Sequence, residues 1–187
     1  STLWFDYPPR ATFFKKELEN FLLLSREQKQ DPLTLMGSYA GAMGYGQFMP
    51  SSYRAYAVDF DNDGFNDIWN NPVDAIGSVA NYFKRHGWEK DKKVVVAAKA
   101  TKGFDAGILT STTKLNSKVQ FIENAGILPV VRLDKNLEAM VFKLEGKDGD
   151  EYWMGLKNFY VITRYNHSLL YAMAVYQLSQ ELKKNYQ

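Results

Sequence analysis

The 187-residue sequence contains no cysteine, which excludes disulfides, thiol nucleophiles and cysteine-type zinc sites and leaves the redox compartment open. Its two histidines, His86 and His167, lie too far apart in the sequence to suggest a metal centre, and we interpret both as structural. No apolar run approaches about 18 residues, so no segment is predicted to span a membrane. A signal peptide is also missing, and the abrupt start at Ser1 is typical of a processed or truncated product.

An excess of charge of either sign is missing as well. Lysine and arginine number 23 against 21 aspartates and glutamates, a net charge of +2, so we predict no nucleic-acid partner. Aromatic residues, in contrast, reach 15% of the chain. Either a core rich in phenylalanine and tyrosine or an aromatic groove that packs against sugar rings would account for them.

Periodicity predicts a mainly helical α+β protein. Residues 12–28 form an amphipathic pattern whose apolar face comprises Phe14, Leu18, Phe21 and Leu22. A second helix is predicted from Pro72, with Asn71 as its N-cap and Asp74 in its first turn. The other predicted elements are strands over 94–97 and 140–144, a hairpin turn over 147–150, a short helix over 118–124, and a helical segment over about 158–184 with Leu169, Met173, Tyr176 and Leu182 near one face.

These elements predict three parts. Residues 1–92 form a helical core, which includes a polar loop at 59–74. Residues 93–157 form a small α+β insert, and residues 158–187 form a C-terminal helical segment that returns to the core.

The polar loop carries regularly spaced carboxylates. Aspartates occupy loop positions 1, 3, 5 and 9, with glycine at position 6 and a carbonyl ligand expected at position 7, namely Asp59, Asp61, Asp63, Asp67, Gly64 and Phe65. This spacing is typical of an EF-hand calcium loop, because clustered carboxylates repel unless a hard cation neutralises them. A solvated acidic turn is the alternative. We favour a structural Ca²⁺ over Mg²⁺, since the ligands are many and the loop is flexible.

Position 12 of this loop departs from the EF-hand pattern. Asn70 stands where a bidentate glutamate is usual. Asp74 could supply the missing ligand, or it could only cap the following helix through the helix dipole. Asp67 could bind directly or through water.

Two long blocks carry a family resemblance. The first reads SYAGAMGYGQFMPSSY over residues 38–53, followed by AVDFD at 57–61 and DAIGSVANYF at 74–83; the second reads NFYVITRYNHS at 158–168. With the opening FDYP at 5–8, these blocks closely resemble the membrane-bound lytic murein transglycosylase B (MltB) family. The resemblance runs essentially from end to end and implies a lysozyme-like helical fold with a small β-containing insert.

The resemblance also implies an activity. Family members cleave the β-1,4 bond between N-acetylmuramic acid and N-acetylglucosamine in peptidoglycan, without hydrolysis and without a catalytic cofactor. One glutamic acid protonates the leaving oxygen and then acts as base on the muramoyl C6 hydroxyl, giving a 1,6-anhydro sugar. The implied partners are peptidoglycan glycan strands. The implied location is the periplasm of a Gram-negative-type cell, with an outer-membrane lipid anchor outside these residues as an option.

The chain departs from the family at the catalytic glutamate. The family places it in a Glu-Ser/Thr motif upstream of the helix that opens this sequence, and no such motif occurs here. We assign Glu17 and Glu19 to an amphipathic helix, and we expect no glutamate of this chain to be the catalyst. The general acid/base is expected upstream of Ser1. The missing segment, or self-association, would then cover the apolar residues near the N-terminus.

Motif position assigns the substrate contacts. These are Ser38 and Gln47 beside the missing glutamate, Met43 and Tyr45 in the cleft wall, and Tyr82, Tyr165, Asn166 and Tyr171. Tyr82 and Tyr171 could instead pack in the core. We expect Ser38, Gln47, Tyr165 and Asn166 to converge on one groove, because their polar groups interrupt apolar runs without a local partner. The competing functions are a non-catalytic peptidoglycan-binding module and a calcium-stabilised interaction domain.

Overall fold

A computed structural model describes residues 2–186. The chain separates into two compact units, one ending at Arg85 and the other beginning at His86. Within the described residues there are seven α-helices and one five-stranded antiparallel sheet, which confirms the α+β class. The three-part division at residues 92 and 157 stays a prediction. None of the helices in this part of the chain is long and apolar enough to cross a membrane.

Four helices build the first unit. They are α1 (Thr2–Asp6), α2 (Ala11–Glu27), α3 (Pro50–Tyr56) and α4 (Pro72–Arg85). The predicted helix over 12–28 is confirmed as α2, but its inner face differs from the prediction. Leu22 is 54% exposed, whereas Glu17 is buried, because Glu17 lies one turn after Phe14 on the side of α2 that packs inward.

Helix α4 begins as its sequence predicts. The Asn71 Oδ1 accepts a hydrogen bond from the Val73 amide at 3.0 Å, and Pro72 occupies the first helical position, where it needs no hydrogen-bond partner. Further along α4, Phe60 packs directly on Gly77, where an added Cβ would lie 2.5 Å from the ring. The polar loop at 59–74, called the acidic loop below, is therefore held against both the start and the middle of α4.

The second unit contains the sheet. Its strands are β1 (Val95–Ala100), β2 (Ser117–Lys118), β3 (Ile127–Pro129), β4 (Glu138–Gly146) and β5 (Gly149–Gly155), in the order β2-β4-β5-β1-β3. The predicted turn is confirmed, since Gly146 pairs with Gly149 across a two-residue connection. Residues 139–142 of β4 are buried in succession, which shows that both faces of this strand are covered.

Three helices complete the second unit. They are α5 (Val119–Asn124), α6 (Lys157–Tyr165) and α7 (Leu169–Asn185). The predicted C-terminal helical segment is divided into α6 and α7. The break occurs because Asn166 adopts an extended backbone, and the Ser168 hydroxyl then caps α7. The apolar residues of α7 are covered near its start and not near its end: Met173 is buried, but Leu182 is 49% exposed.

Candidate functional site

The segment over residues 37–49, called the motif loop below, folds on itself. The Ser38 amide donates to the Ala42 carbonyl at 2.7 Å, and the Ser38 hydroxyl accepts from the Ala42 amide at 3.0 Å. Met43 and Phe48 exchange two backbone hydrogen bonds, and both side chains are buried. Ser38 therefore has a local partner, so the expectation that its polar group lacks one is wrong.

Gln47 is the most constrained residue of the motif loop. Its backbone φ is +51°, a left-handed conformation that is uncommon for a residue with a side chain. The Gln47 amide and the side-chain Nε2 both donate to the Gly44 carbonyl, at 3.1 and 3.0 Å. Gln47 thus also has a local partner, contrary to expectation. Its side chain is nevertheless exposed, and a strained, exposed amide is typical of a ligand-binding position.

A cavity of about 360 Å³ opens beside the motif loop in the first unit. Ser38 and Met43 line it, together with aromatic residues that include Trp4 and Phe14. Tyr45, Gln47 and Tyr82 do not belong to its lining. A mainly apolar cavity with a few polar groups is the usual form of a small-ligand site.

Tyr45 and Tyr82 lie in different surroundings. Tyr45 is 65% exposed, as a residue that packs on a sugar would be. Tyr82 is buried, with ring centroids 4.9 Å from Tyr56 and 6.0 Å from Phe48. Tyr82 therefore supports the motif loop from beneath through Phe48, and a direct substrate contact stays a prediction.

Glu17 is the residue of this region that the sequence interpretation missed. Its carboxylate lines the cavity, is 7% exposed, and accepts hydrogen bonds from the Ser51 amide at 2.9 Å and the Ser51 hydroxyl at 2.7 Å. Ser51 lies in the first turn of α3, so a negative charge there also meets the positive end of the helix dipole. The sequence did carry a signal for this. Glu17 lies three residues after Phe14 and four before Phe21, a spacing that places its carboxylate on the inner face of α2.

The acidic loop brings four carboxylates together. Each of Asp59, Asp61, Asp63 and Asp74 offers an oxygen, and these oxygens lie within 4.8 Å of one another. Across residues 2–186, no lysine or arginine forms an ion pair with any of the four. Carboxylates this close repel each other strongly unless a cation neutralises them. The donor set therefore fits a hard divalent cation.

Hydrogen bonds to backbone amides give the acidic loop its shape. Asp59 accepts from the amides of Asp63 and Gly64, and Gly64 has a φ of +95°, as position 6 of the pattern requires. Asp74 is fully buried and accepts from the amides of Phe60 and Asp67 at 2.7 and 2.9 Å. These bonds leave each carboxylate with further lone pairs for a metal ion.

Asp67 stands apart from these four residues. Its carboxylate accepts from the backbone amides of Trp69 and Asn70, both at 2.9 Å. Asp67 and the Phe65 carbonyl as ligands stay predictions. Through these two bonds, the Asp67 carboxylate closes the turn over residues 67–70.

The acidic loop is joined to the motif loop. The Tyr45 amide donates to the Ile68 carbonyl at 2.9 Å, and the Trp69 indole donates to the Met36 carbonyl at 3.1 Å. Gly44 packs so closely on Ile68 that an added Cβ would lie 2.4 Å from its carbonyl oxygen. Residues 68–69 of the acidic loop therefore position the motif loop directly.

Tyr53 completes this junction. Its hydroxyl donates to the Asn66 carbonyl at 2.8 Å. Burial, reinforced by the charges of Asp67 and Asp74, raises the pKa of Tyr53 well above its ordinary value. The hydroxyl therefore remains protonated and keeps donating at any physiological pH.

The remaining predicted contacts lie at the junction of α6 and α7 in the second unit. Tyr165 ends α6, Asn166 is exposed in the connection, and the Tyr171 amide donates to the Ser168 hydroxyl at 3.2 Å. The structure thus brings these three residues near one helix junction. Their convergence with Ser38 and Gln47 on a shared groove stays a prediction.

The chain belongs to the transglycosylase SLT domain family, whose model matches residues 1–180. It is 53% identical over 180 residues to the membrane-bound lytic murein transglycosylase B of Escherichia coli K12, covering 96% of this chain and 48% of that protein. The chain therefore spans about half the length of this relative.

Solved structures agree with the family. The soluble lytic transglycosylase SltB1 of Pseudomonas aeruginosa, in its catenated form, matches with a TM-score of 0.96 and 52% identity over 100% of this chain and 61% of its own. The E. coli lytic transglycosylase Slt35 in complex with calcium matches with a TM-score of 0.87 and 53% identity over 96% of this chain and 56% of its own; it has also been solved with bulgecin A. SltB3 of P. aeruginosa in complex with NAG-anhNAM-pentapeptide matches with a TM-score of 0.76 and 33% identity, over 89% of this chain and 45% of its own.

Proposed function

We propose that this chain is the larger part of a lytic transglycosylase domain that binds peptidoglycan glycan strands. The proposed reaction is cleavage of the β-1,4 bond between N-acetylmuramic acid and N-acetylglucosamine, with formation of the 1,6-anhydro sugar. Family membership supports this reaction, as do the relatives solved with bulgecin A and with an anhydro-muropeptide. The observation that carries the proposal is the strained, exposed Gln47 of the motif loop, beside a cavity lined by Ser38 and Met43.

The motif loop supplies polar and apolar contacts in one short segment. One N–H of the Gln47 Nε2 donates to the Gly44 carbonyl, which leaves the second N–H and the side-chain carbonyl oxygen to bond a sugar hydroxyl or an N-acetyl group. Tyr45, which is exposed, offers a ring face against which a pyranose packs. Ser38 keeps its hydroxyl proton available, because its oxygen accepts rather than donates in the loop.

The proton donor of the reaction is proposed to come from a glutamate outside these 187 residues. Within the described part of the chain, the buried carboxylates are Glu17 and Asp74, and each already accepts two hydrogen bonds. Both carboxylates are buried and held in place by these bonds, so neither is positioned to reach a glycosidic oxygen. Because the muramoyl C6 hydroxyl is the nucleophile, a single added carboxyl suffices. The isolated chain then behaves as the competing glycan-binding module, with sugar contacts and no turnover.

We propose that the acidic loop binds Ca²⁺ in a structural role. The four clustered carboxylates fit the ion, and Slt35 was solved with calcium. The ion would hold Asp59, Asp61 and Asp63 against Asp74 of α4, and thereby hold the Ile68 carbonyl that receives the Tyr45 amide. The proposed location is the periplasm, in line with the cell-envelope relative.

The test removes the Gln47 side chain and measures protein stability and glycan affinity separately. Gln47→Gly removes the side chain from a backbone that favours glycine, so the free energy of unfolding should stay within about 1 kcal/mol of the parent value. Affinity for a peptide-free glycan oligosaccharide, measured by calorimetry, should fall at least severalfold. Lys29→Gly is the matched control, because Lys29 also has a positive φ (53°) and lies outside the motif loop. Equal affinities for both variants would contradict the assignment.

A further inference from the structure

A second cavity, of about 730 Å³, lies wholly within the second unit and has no part in the proposed glycan site. It opens where β1 and β4 begin and β5 ends. Its walls come from the segments 89–93 and 132–138 and from the start of α6. A volume of this size is within the range that holds a small ligand.

The apolar part of the cavity lining, called the leucine floor below, is aliphatic, and the hydrophobic core holds two of its leucines. It includes Leu115, Leu133 and Leu156. Leu156 is buried, and Leu133 packs against the hydrophobic core of the sheet. No aromatic residue belongs to the lining, so the cavity lacks the ring faces on which sugars pack.

The walls carry equal numbers of opposite charges. The basic residues are Lys92, Lys93, Arg132 and Lys157. The acidic residues are Glu89, Asp91, Asp134 and Glu138. A polyanion such as a nucleic acid would meet four carboxylates here, and a polycation would meet four basic groups, so a ligand of a single sign is disfavoured.

These eight charges do not neutralise one another. Among residues 2–186, none of them takes part in an ion pair within 4.0 Å. Elsewhere in the same unit such pairs do form: Lys135 pairs with Glu123, and Lys143 pairs with Asp150 at 2.9 Å. The cavity walls therefore keep both cationic and anionic groups available to a ligand that carries both signs.

One wall is held in place by a buried amide. Asn158 of α6 is 1% exposed, and its Oδ1 accepts from the Glu89 amide at 2.8 Å. Its Nδ2 donates to the carbonyls of Glu89 and Lys92, at 2.8 and 3.1 Å. The charged segment is thus fixed before any ligand arrives, which lowers the entropic cost of binding.

We propose that this cavity binds a short zwitterionic peptide, namely the peptide that peptidoglycan glycan strands carry. Such peptides combine free carboxylates, a free amino group and small aliphatic side chains, and these match the basic groups, the acidic groups and the leucine floor. The assignment rests on the proposed function, because peptidoglycan is the substrate assumed there. It gives the second unit a role in recognising the peptide, separate from the glycan contacts of the motif loop.

The test is a nuclear magnetic resonance titration of the isotope-labelled full chain with a sugar-free stem tripeptide, L-alanyl-γ-D-glutamyl-meso-diaminopimelate. Amide shifts are expected at residues 89–93, 132–138 and 156–158, and they should weaken as salt is added. Arg132→Gln with Lys157→Gln should lower the affinity about fivefold to tenfold, the loss expected for two charge contacts near the protein surface. Lys102→Gln with Lys147→Gln, outside the cavity, is the matched control.

A second probe keeps the test independent of how the variants fold. The same tripeptide with both of its free amines acetylated and its carboxylates amidated should not bind the unaltered protein. Absence of tripeptide binding, shifts confined to other residues, or equal binding of the capped peptide would each overturn the proposal. A peptide-free glycan oligosaccharide titrated in parallel reports on the motif loop alone, so failure of the proposed function is seen separately.

Discussion

The close contact between Gly44 and Ile68 makes a prediction that separates two physical effects. Gly41 and Gly44 both lie in the motif loop with positive φ, +85° and +62°. An alanine Cβ at Gly41 would meet nothing within 4 Å, whereas at Gly44 it would lie 2.4 Å from the Ile68 carbonyl oxygen and 2.8 Å from its Cγ1. The two substitutions therefore share the backbone cost, and only Gly44→Ala adds a steric clash.

The magnitudes follow from these contacts. Gly41→Ala should lower the free energy of unfolding by about 1–2 kcal/mol, the cost of a left-handed alanine. Gly44→Ala should lower it by about 2–5 kcal/mol, since overpacking against backbone adds roughly 1–3 kcal/mol. Urea unfolding measures both free energies. If the slope of the unfolding free energy against urea concentration is the same in both variants, the unfolded state is unchanged.

A calcium titration gives the second readout. Because Ile68 belongs to the acidic loop and its carbonyl accepts from the Tyr45 amide, Gly44→Ala should also weaken calcium binding, whereas Gly41→Ala should leave it unchanged. Equal losses of stability in the two variants would refute the contact with Ile68. Unchanged calcium affinity in Gly44→Ala would refute the coupling between the loops.

Three further predictions follow from the hydrogen bonds and charges. Calcium at about a hundredfold excess over its dissociation constant should stabilise the protein by about 2.7 kcal/mol in thermal melts; Asp61→Asn with Asp63→Asn should abolish the shift, and a melt insensitive to calcium and chelator would count against the site. Glu17→Gln and Ser51→Ala should each cost about 1–3 kcal/mol, and the double variant less than their sum, whereas strict additivity would show that the two groups do not interact. Asn158→Ala should cost about 2–4 kcal/mol and speed hydrogen exchange at the Glu89 amide; unchanged exchange would contradict its anchoring role.

Local signals predicted much of the fold. Helix α2 lies within one residue of its predicted bounds, and α4 begins at the predicted cap, because periodicity and capping act over a few neighbouring residues. The glycine at position 6 of the acidic loop has a φ of +95°, which agrees with its place in the spacing pattern. The clustering of Asp59, Asp61 and Asp63 with Asp74 was also within reach of the spacing pattern.

Partners distant in the sequence explain what was missed. Glu17 is buried because Ser51, 34 positions away, satisfies it. Asn158 is buried because it binds backbone groups 66 and 69 positions earlier. Contacts between residues this far apart in the sequence leave no periodic pattern from which they could be predicted. The exposed Leu22 and Leu182 show the reverse case, in which a helical pattern extends beyond the surface that the fold covers.

We propose above that this chain binds peptidoglycan glycan strands and depends on a proton donor from outside its 187 residues. The most direct measurement incubates the purified chain with peptidoglycan sacculi, determines how much protein sediments with them, and analyses the soluble products by mass spectrometry. We predict sedimentation with the sacculi, reduced by Gln47→Gly, and no 1,6-anhydro-muropeptides above the level of a protein-free sample. Release of anhydro-muropeptides at a rate similar to that of a full-length relative would contradict the need for an outside proton donor, and failure to sediment would contradict binding to the glycan strands.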